Sequence, residues 1–288
     1  SDLSGGIIMD PKTGAIYALA NTPDFDPNAF GKEKSSKVFL NPIVESTYEM
    51  GSIIKPLTMA AGLDAGVVKP ETTYDDKGFL LIDGAKIRNF DGKGRGVVPM
   101  QEVLDESLNT GAVYVMQKLG KDRFRDYMIR YGLEEETGID LPGEVRGSLK
   151  NLNENATNKK IVEYATASFG QGISMTPIAT ARALSVLANN GKIVTPYVVK
   201  EINYAVGFSR TSATDDAKPV LKPETSETIT RMLVHVVDNS LLDGTVKMEH
   251  YSVAAKTGTA QMAREDGKGY YDDRYLQKQL YYHCKNKI

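Results

Sequence analysis

Three short motifs along the chain combine residue types that suit nucleophilic catalysis. They are Ser52-Ile53-Ile54-Lys55, Ser107-Leu108-Asn109 and Lys256-Thr257-Gly258-Thr259. Residues three positions apart in a helix share a face, so the hydroxyl group of Ser52 would lie beside the amine of Lys55. A serine hydroxyl is a weak nucleophile, and it needs an adjacent base to attack a carbonyl and form an acyl intermediate. The first motif therefore indicates covalent acyl transfer.

A lysine can serve as that base only if its pKa is lowered. The ordinary lysine pKa of ~10.4 leaves the amine protonated at neutral pH. Burial or a second cation must bring the pKa of Lys55 toward ~7–8, and Lys256 is the candidate for that cation.

Each motif alone also has a structural explanation. About one Ser-x-x-Lys is expected by chance in a chain of this composition, and Ser107 or Asn109 could simply cap a helix. Lys-Thr-Gly occurs twice, and Lys12-Thr13-Gly14 lies in a predicted hairpin turn where the lysine is solvated. The second copy instead continues an apolar run, where glycine permits close approach of a ligand. The ordered set favours a catalytic site more than any single motif does.

The elements that must position these motifs are predicted from turn and capping signals. Strand pairs are expected at 5–10 with 15–20 and at 79–82 with 85–88, the second joined by Asp83-Gly84. Helices are expected at 52–65, with Ser52 as N-cap or first residue, and at 99–106, 110–119, 122–131, 177–190 and 224–238. Residues 251–262 are extended in character. Strands near both ends with helices between them predict an α+β domain whose terminal segments share one sheet.

The ordered motifs resemble those of penicillin-binding proteins and serine β-lactamases. Their flanks are similar to a class B penicillin-binding protein transpeptidase domain, of the penicilloyl serine transferase superfamily. These flanks are residues 51–56, residues 106–110, Gly170-Gln171-Gly172 before a Thr-Pro helix, and the run KTGTAQ. The resemblance covers about residues 5–262. It implies an α+β fold with an antiparallel sheet flanked by helices and a largely helical subdomain.

The resemblance also implies a role for each motif residue. Ser52 would be the acylated nucleophile, Lys55 its base and Ser107 a proton relay to the leaving amine. The expected substrate-binding residues are Asn109, Lys256, Thr257, Gly258 and Thr259. Asn109 would hold the substrate amide and orient Lys55, and the two threonines would bind the terminal carboxylate. The backbone N–H groups of Ser52 and Thr259 would form the oxyanion hole.

By this resemblance the chain is expected to be a peptidoglycan D,D-transpeptidase that is inhibited by β-lactams. Its expected partners are peptidoglycan stem peptides ending in D-Ala-D-Ala, β-lactam antibiotics and proteins of cell-wall synthesis, division or elongation. No metal or organic cofactor is implied. A β-lactamase, a DD-carboxypeptidase and a non-catalytic β-lactam-binding domain remain as alternatives. No acidic loop resembles the class A deacylation motif, and class D enzymes carry valine where this chain has Asn109.

The composition of the chain excludes several classes of ligand and site and bears on where the domain is located. Thirty-five basic and 37 acidic residues give a net charge of −2, so the chain has no general attraction to nucleic acid. One cysteine excludes an internal disulfide, and three histidines speak against a structural zinc site. No apolar run approaches the ~18–20 residues that span a bilayer. We expect an extracytoplasmic domain, in the periplasm or on the outer face of the membrane, whose anchor lies outside this chain.

The end of the chain departs from the family pattern. More strands and a terminal helix follow the Lys-Thr-Gly strand in the family, but residues 276–288 show neither strand alternation nor a capped helix. We therefore predict a transpeptidase (penicillin-binding) domain over 1–262 and an atypical, unassigned tail over 263–288.

Overall fold

The computed structural model describes residues 4–152, 160–211, 217–263 and 270–286. The α-helices within them are α1 (Pro42–Glu45), α2 (Lys55–Asp64), α3 (Met100–Asp105), α4 (Asn109–Leu119), α5 (Lys121–Arg130), α6 (Ile161–Ala167), α7 (Pro177–Ala188) and α8 (Pro223–His235). The strands are β1 (Ser4–Met9), β2 (Ile16–Thr22), β3 (Thr73–Asp76), β4 (Phe79–Ile82), β5 (Ala85–Arg88), β6 (Gly96–Pro99), β7 (Lys192–Ile193), β8 (Glu201–Asn203), β9 (Ser209–Thr211), β10 (Lys218–Pro219), β11 (Tyr251–Ala263) and β12 (Tyr270–Asn286). Short 3₁₀ helices cover Phe30–Lys32, Ser36–Phe39, Gly51–Ile54, Lys150–Leu152 and Leu241–Gly244, and a π-helix covers Val236–Ser240.

Helix α2 lies at the centre of the largest hydrophobic cluster. All but one of its residues are buried, including the charged Lys55 and Asp64. Gly62 lets helix α4 approach it, because a Cβ atom there would lie 2.5 Å from Val115 Cγ1. Helix α8 is tied to the end of α2, where Thr225 Oγ1 donates to Asp64 Oδ1 over 3.0 Å. A helix buried on all sides is held by tertiary packing rather than by its own propensity.

The strands form antiparallel pairs, and the α+β class predicted from the sequence is confirmed. Both predicted hairpins are present: β1 pairs with β2, and β4 pairs with β5 across Asp83-Gly84, whose φ angles are 51° and 81°. Positive φ at both central residues is the geometry that favours Asp-Gly in two-residue hairpins.

The prediction that the terminal segments share one sheet is wrong for the described residues. Strand β1 pairs with β2, whereas β11 pairs with β12, and these are separate two-stranded sheets. Strand β11 packs instead against the Gly51–Ile54 turn and helix α8. Alternation within a strand indicates which side chains are buried, but it does not indicate which backbone will be its neighbour.

Much of the predicted tail is a strand. β12 runs antiparallel to β11 from the pair Tyr251↔Asn286 to the pair Ala263↔Tyr270. Backbone pairing of this kind does not require alternating side chains, which is why the pattern of residues 276–288 did not indicate it. Residues 264–269, 287 and 288 of the predicted tail lie outside the described residues. The boundary predicted after residue 262 stays a prediction.

None of the helices in the described ranges is long and apolar enough to cross a bilayer.

Candidate active site

Ser52 lies in a 3₁₀ turn that leads directly into helix α2. The sequence predicted a continuous α-helix from Ser52, but the first turn is tighter because Lys55 N donates to Ser52 O, three residues back. The next residue, Pro56, has no N–H to make the four-residue bond to the same carbonyl. Proline at the second position of α2 thus sets the backbone geometry under Ser52.

Glycines bring three backbone segments together around this turn. Gly51 has φ +58°, and a Cβ atom on it would lie 2.4 Å from Thr259 O of strand β11. From the other side, Gly51 N donates to Gly170 O over 3.0 Å, and a Cβ atom on Gly170 would lie 2.2 Å from Gly51 O. Gly170 thus makes a tight backbone approach beneath the Ser52 turn. Only glycine fits at either position.

Gly258 likewise allows strand β11 to approach the Ser52 turn closely. A Cβ atom there would lie 2.5 Å from Ile53 Cγ1, so the strand can cross directly over the turn that carries Ser52. Thr257 is partly buried and Thr259 is exposed on either side of this crossing. The third motif is therefore adjacent to the first, although about 200 residues of chain separate them.

The three motifs meet at the hydroxyl group of Ser107. Lys55 Nζ donates to Ser107 Oγ over 3.0 Å and also contacts Ser107 O. Lys256 Nζ lies 2.9 Å from the same Oγ and 3.0 Å from Thr257 O. One hydroxyl group thus lies within hydrogen-bond distance of both lysine amines.

Ser107 reaches this position through an unusual backbone conformation. It joins α3 to α4 with φ +55°, a region that costs a non-glycine residue roughly 1–2 kcal/mol. This turn directs both its carbonyl and its hydroxyl oxygen toward Lys55. Strained residues that persist in a fold mark functional sites more often than other positions.

Burial and charge shift the pKa of Lys55 in the direction that a lysine base requires. Burial lowers the pKa of Lys55 well below its ordinary value, and the nearby charge of Lys256 lowers it further. Burial lowers the pKa of Lys256 to about 8. Both side chains are nearly inaccessible, with 1% and 4% exposure. The ammonium of Lys256 disfavours a second positive charge beside it, so both burial and this neighbour shift Lys55 toward the neutral amine that a base requires.

Asn109 is placed differently from the other motif residues. It is the first residue of α4 and partly buried, and its Nδ2 donates to Arg88 O of strand β5 over 2.8 Å. The expected orientation of Lys55 by Asn109 therefore stays a prediction, since the lysine amine is held by Ser107.

Sequence reasoning missed a polar cluster behind Asn109. Asp76, Asn89 and Thr110 are buried and hydrogen-bonded to one another. The sequence Thr73-Tyr74-Asp75-Asp76 gives no signal for it, and only the structure shows that Asp76 occupies the buried face of β3. Among the described side chains, no group of three His, Cys, Asp or Glu residues could hold a metal ion.

The model of the penicillin-binding protein transpeptidase domain family matches residues 5–281. The chain belongs to this family. The match extends past the limit of about residue 262 to which the resemblance was traced, and it includes most of strand β12.

Individual relatives agree with this assignment. The chain is 35% identical to stage V sporulation protein D of Bacillus subtilis, over 91% of this chain and 40% of the relative. It is 30% identical to the peptidoglycan D,D-transpeptidase MrdA of Acinetobacter baumannii, over 95% of this chain and 44% of the relative. The chain thus spans less than half the length of these relatives.

Solved structures agree as well. Penicillin-binding protein 3 of Mycobacterium tuberculosis in its apo form has a TM-score of 0.88 and 28% identity, over 98% of this chain and 63% of that one. The same protein in complex with aztreonam has a TM-score of 0.85 and 29% identity, over 95% and 61%. The chain therefore has the fold of the penicillin-binding protein transpeptidase domain.

Proposed function

We propose that this domain is a serine D,D-transpeptidase that acts on peptidoglycan stem peptides ending in D-Ala-D-Ala. The observation that carries the proposal is the pair of buried lysine amines on Ser107 Oγ, beside the turn that bears Ser52. A lysine with a lowered pKa next to a serine is the arrangement that activates a hydroxyl nucleophile. The relatives named peptidoglycan D,D-transpeptidase support the choice of substrate.

In the proposed first step, Ser52 Oγ attacks the carbonyl carbon of the penultimate D-Ala while Lys55 takes the proton of the Ser52 hydroxyl group. The bond from that carbon to the terminal D-Ala nitrogen breaks. The proton reaches the leaving amine through Ser107, whose hydroxyl group already contacts both lysines. In the second step an acceptor amine attacks the acyl ester, loses a proton to the same relay, and returns the hydroxyl group to Ser52.

The remaining motif residues bind substrate in this proposal. The N–H groups of Ser52 and Thr259 donate hydrogen bonds to the oxyanion. The crossing at Gly258 supports this role, because it brings β11 against the Ser52 turn. The charge of Lys256 and the hydroxyl groups of Thr257 and Thr259 attract the terminal carboxylate. The amide of Asn109 holds the peptide backbone of the substrate. We place the domain outside the cytoplasm, with peptidoglycan and β-lactams as its ligands.

The test is the intact mass of the domain after incubation with benzylpenicillin, beside the variant Ser52→Ala. We expect one stable penicilloyl adduct on the parent and none on the variant, because a β-lactam acylates the serine in place of the peptide. Rapid drug hydrolysis without an adduct would favour a β-lactamase. If the parent shows no adduct and no drug hydrolysis, the acyl-serine mechanism is refuted. Turnover of a D-Ala-D-Ala peptide to free acid alone would identify a DD-carboxypeptidase.

A further inference from the structure

Asp76 is a buried carboxylate at the end of strand β3, 2% exposed. Its oxygens accept hydrogen bonds from Gly78 N over 2.9 Å, from Asn89 Nδ2 over 3.0 and 2.9 Å, and from Arg95 N over 3.1 Å. Thr110 Oγ1 donates to Asp76 Oδ1 over 2.7 Å. No Lys, Arg or His nitrogen within the described ranges forms an ion pair with this carboxylate.

This set of donors explains how the charge is tolerated. A buried carboxylate without a cation is costly unless hydrogen-bond donors occupy its oxygens. Hydrogen bonds to an ionised acceptor are roughly twice as strong as those between neutral groups. The groups around Asp76 are therefore held firmly. They come from separate parts of the chain: the loop after β3, the residue after β5, the residue before β6 and helix α4.

Two of these groups flank Asn109. Thr110 follows it directly in the chain, and Thr110 N donates to Asn89 Oδ1 over 3.2 Å. Asn89 follows Arg88, whose carbonyl oxygen accepts from Asn109 Nδ2 over 2.8 Å. The same cluster thus fixes both the backbone from which Asn109 projects and the acceptor that its amide meets.

The acceptor also determines which end of the amide is available. A backbone carbonyl oxygen can only accept, so it binds the nitrogen end of the Asn109 side chain. The carbonyl oxygen of that side chain then points away from Arg88. A displaced Arg88 or a rotated α4 would remove this selection, because an amide with no fixed partner can turn over.

We propose that Asp76, Asn89 and Thr110 form a positioning network that holds the Asn109 amide in the orientation that binds the substrate. This inference rests on the proposed function, in which Asn109 contacts the amide of the substrate. The three residues are positioning residues rather than catalytic ones, since they act through Asn109.

The network is tested by a double-mutant cycle on the second-order rate constant of acylation by benzylpenicillin. Thr110→Val removes the hydroxyl group at nearly constant volume, and Thr110→Ser retains it. Both are made in the parent and in Asn109→Ala, with melting temperatures recorded for all. If Thr110→Val fails to fold, Thr110→Ala removes the same hydroxyl group without a methyl group facing the carboxylate and takes its place in the cycle.

We expect Asn109→Ala and Thr110→Val each to slow acylation ~10-fold or more, and Thr110→Ser to stay within about twofold of the parent. In the Asn109→Ala background, Thr110→Val should change the rate less than twofold while still lowering the melting temperature. If Thr110→Val reduces the acylation rate constant by the same factor in both backgrounds, the inference is overturned, because a general distortion of the site would then explain the loss. Parent-like acylation by Thr110→Val or by Asn109→Ala would also overturn it. Absence of a Ser52 adduct on the parent, in contrast, would refute the proposed function itself.

Discussion

Replacing Lys256 with methionine should stabilise the fold at neutral pH and weaken its chemistry. The buried ammonium is destabilising because its pKa falls from 10.5 in the unfolded chain to about 8 in the fold. At ~1.4 kcal/mol per pKa unit, this shift destabilises the fold by about 3 kcal/mol at pH values below 8. The variant also loses the hydrogen bonds to Ser107 Oγ and Thr257 O, at roughly 1 kcal/mol each. The net expectation is a variant ~1 kcal/mol more stable at pH 7.

The sign of the pH dependence follows from linkage. Between pH 8 and 10.5 the unfolded chain binds a proton at Lys256 that the folded chain lacks, so the free energy of unfolding of the parent rises with pH there. The parent should gain about 2 kcal/mol relative to the variant between pH 7 and 9.5. Its stability should therefore overtake that of Lys256→Met within this range. Removing the charge of Lys256 also relieves Lys55, whose pKa that charge lowers. This acts in the same direction, because any proton that Lys55 keeps in the folded variant at pH 7 reduces the gain of the variant with pH.

The assay is urea unfolding at several pH values, followed by circular dichroism because the chain has no tryptophan. The chain supplies its own control in Lys12→Met, since Lys12 occupies the other Lys-Thr-Gly copy and is exposed. This control should differ from the parent by less than ~0.5 kcal/mol at every pH. A constant difference between the parent and Lys256→Met from pH 7 to 9.5 would refute the reasoning. Loss of acylation ~10²-fold in the more stable variant would show that the charge is retained for function.

Substitutions at two further positions, Gly51 and Ser107, test the backbone of the site. Gly51→Ala should lower the free energy of unfolding by more than ~3 kcal/mol, because its Cβ atom would lie 2.4 Å from Thr259 O. Gly66→Ala, at φ +68° with no atom within 4 Å, measures the backbone cost alone, about 1 kcal/mol, and equal urea midpoints for the two would contradict the packing argument. Ser107→Gly should be roughly 1 kcal/mol more stable than Ser107→Ala, because glycine adopts φ +55° without strain. Both should abolish acylation of Ser52 by benzylpenicillin, and a more stable alanine variant would exclude backbone strain at this position.

Elements with strong local signals were predictable from the sequence. The Asp83-Gly84 hairpin forms at the predicted residues. Helix α7 begins after Thr176, whose hydroxyl oxygen accepts from Ala179 N over 3.1 Å, as its Thr-Pro signature predicted. Turn and capping preferences act over a few residues, so the sequence carries them directly.

Predictions that required neighbours from elsewhere in the chain were less successful. The shared terminal sheet is wrong, and the pairing of β12 with β11 was not anticipated. Strand pairing and the burial of Asp76 depend on which segments pack together, and neither alternation nor composition specifies that.

The sequence by itself determined which residues can carry the chemistry: a serine and a lysine three positions apart, a second serine, and a lysine before a glycine-containing strand. Only the tertiary structure decided that both lysines contact Ser107, across separations of 52 and 149 residues. It also decided their pKa values, because burial removes the water that stabilises an ammonium, and burial is a property of the packed core rather than of any local pattern. Gly51, Gly170 and Gly258 depend on both. The sequence supplies residues without a side chain, and the fold places neighbouring atoms where a Cβ atom would lie.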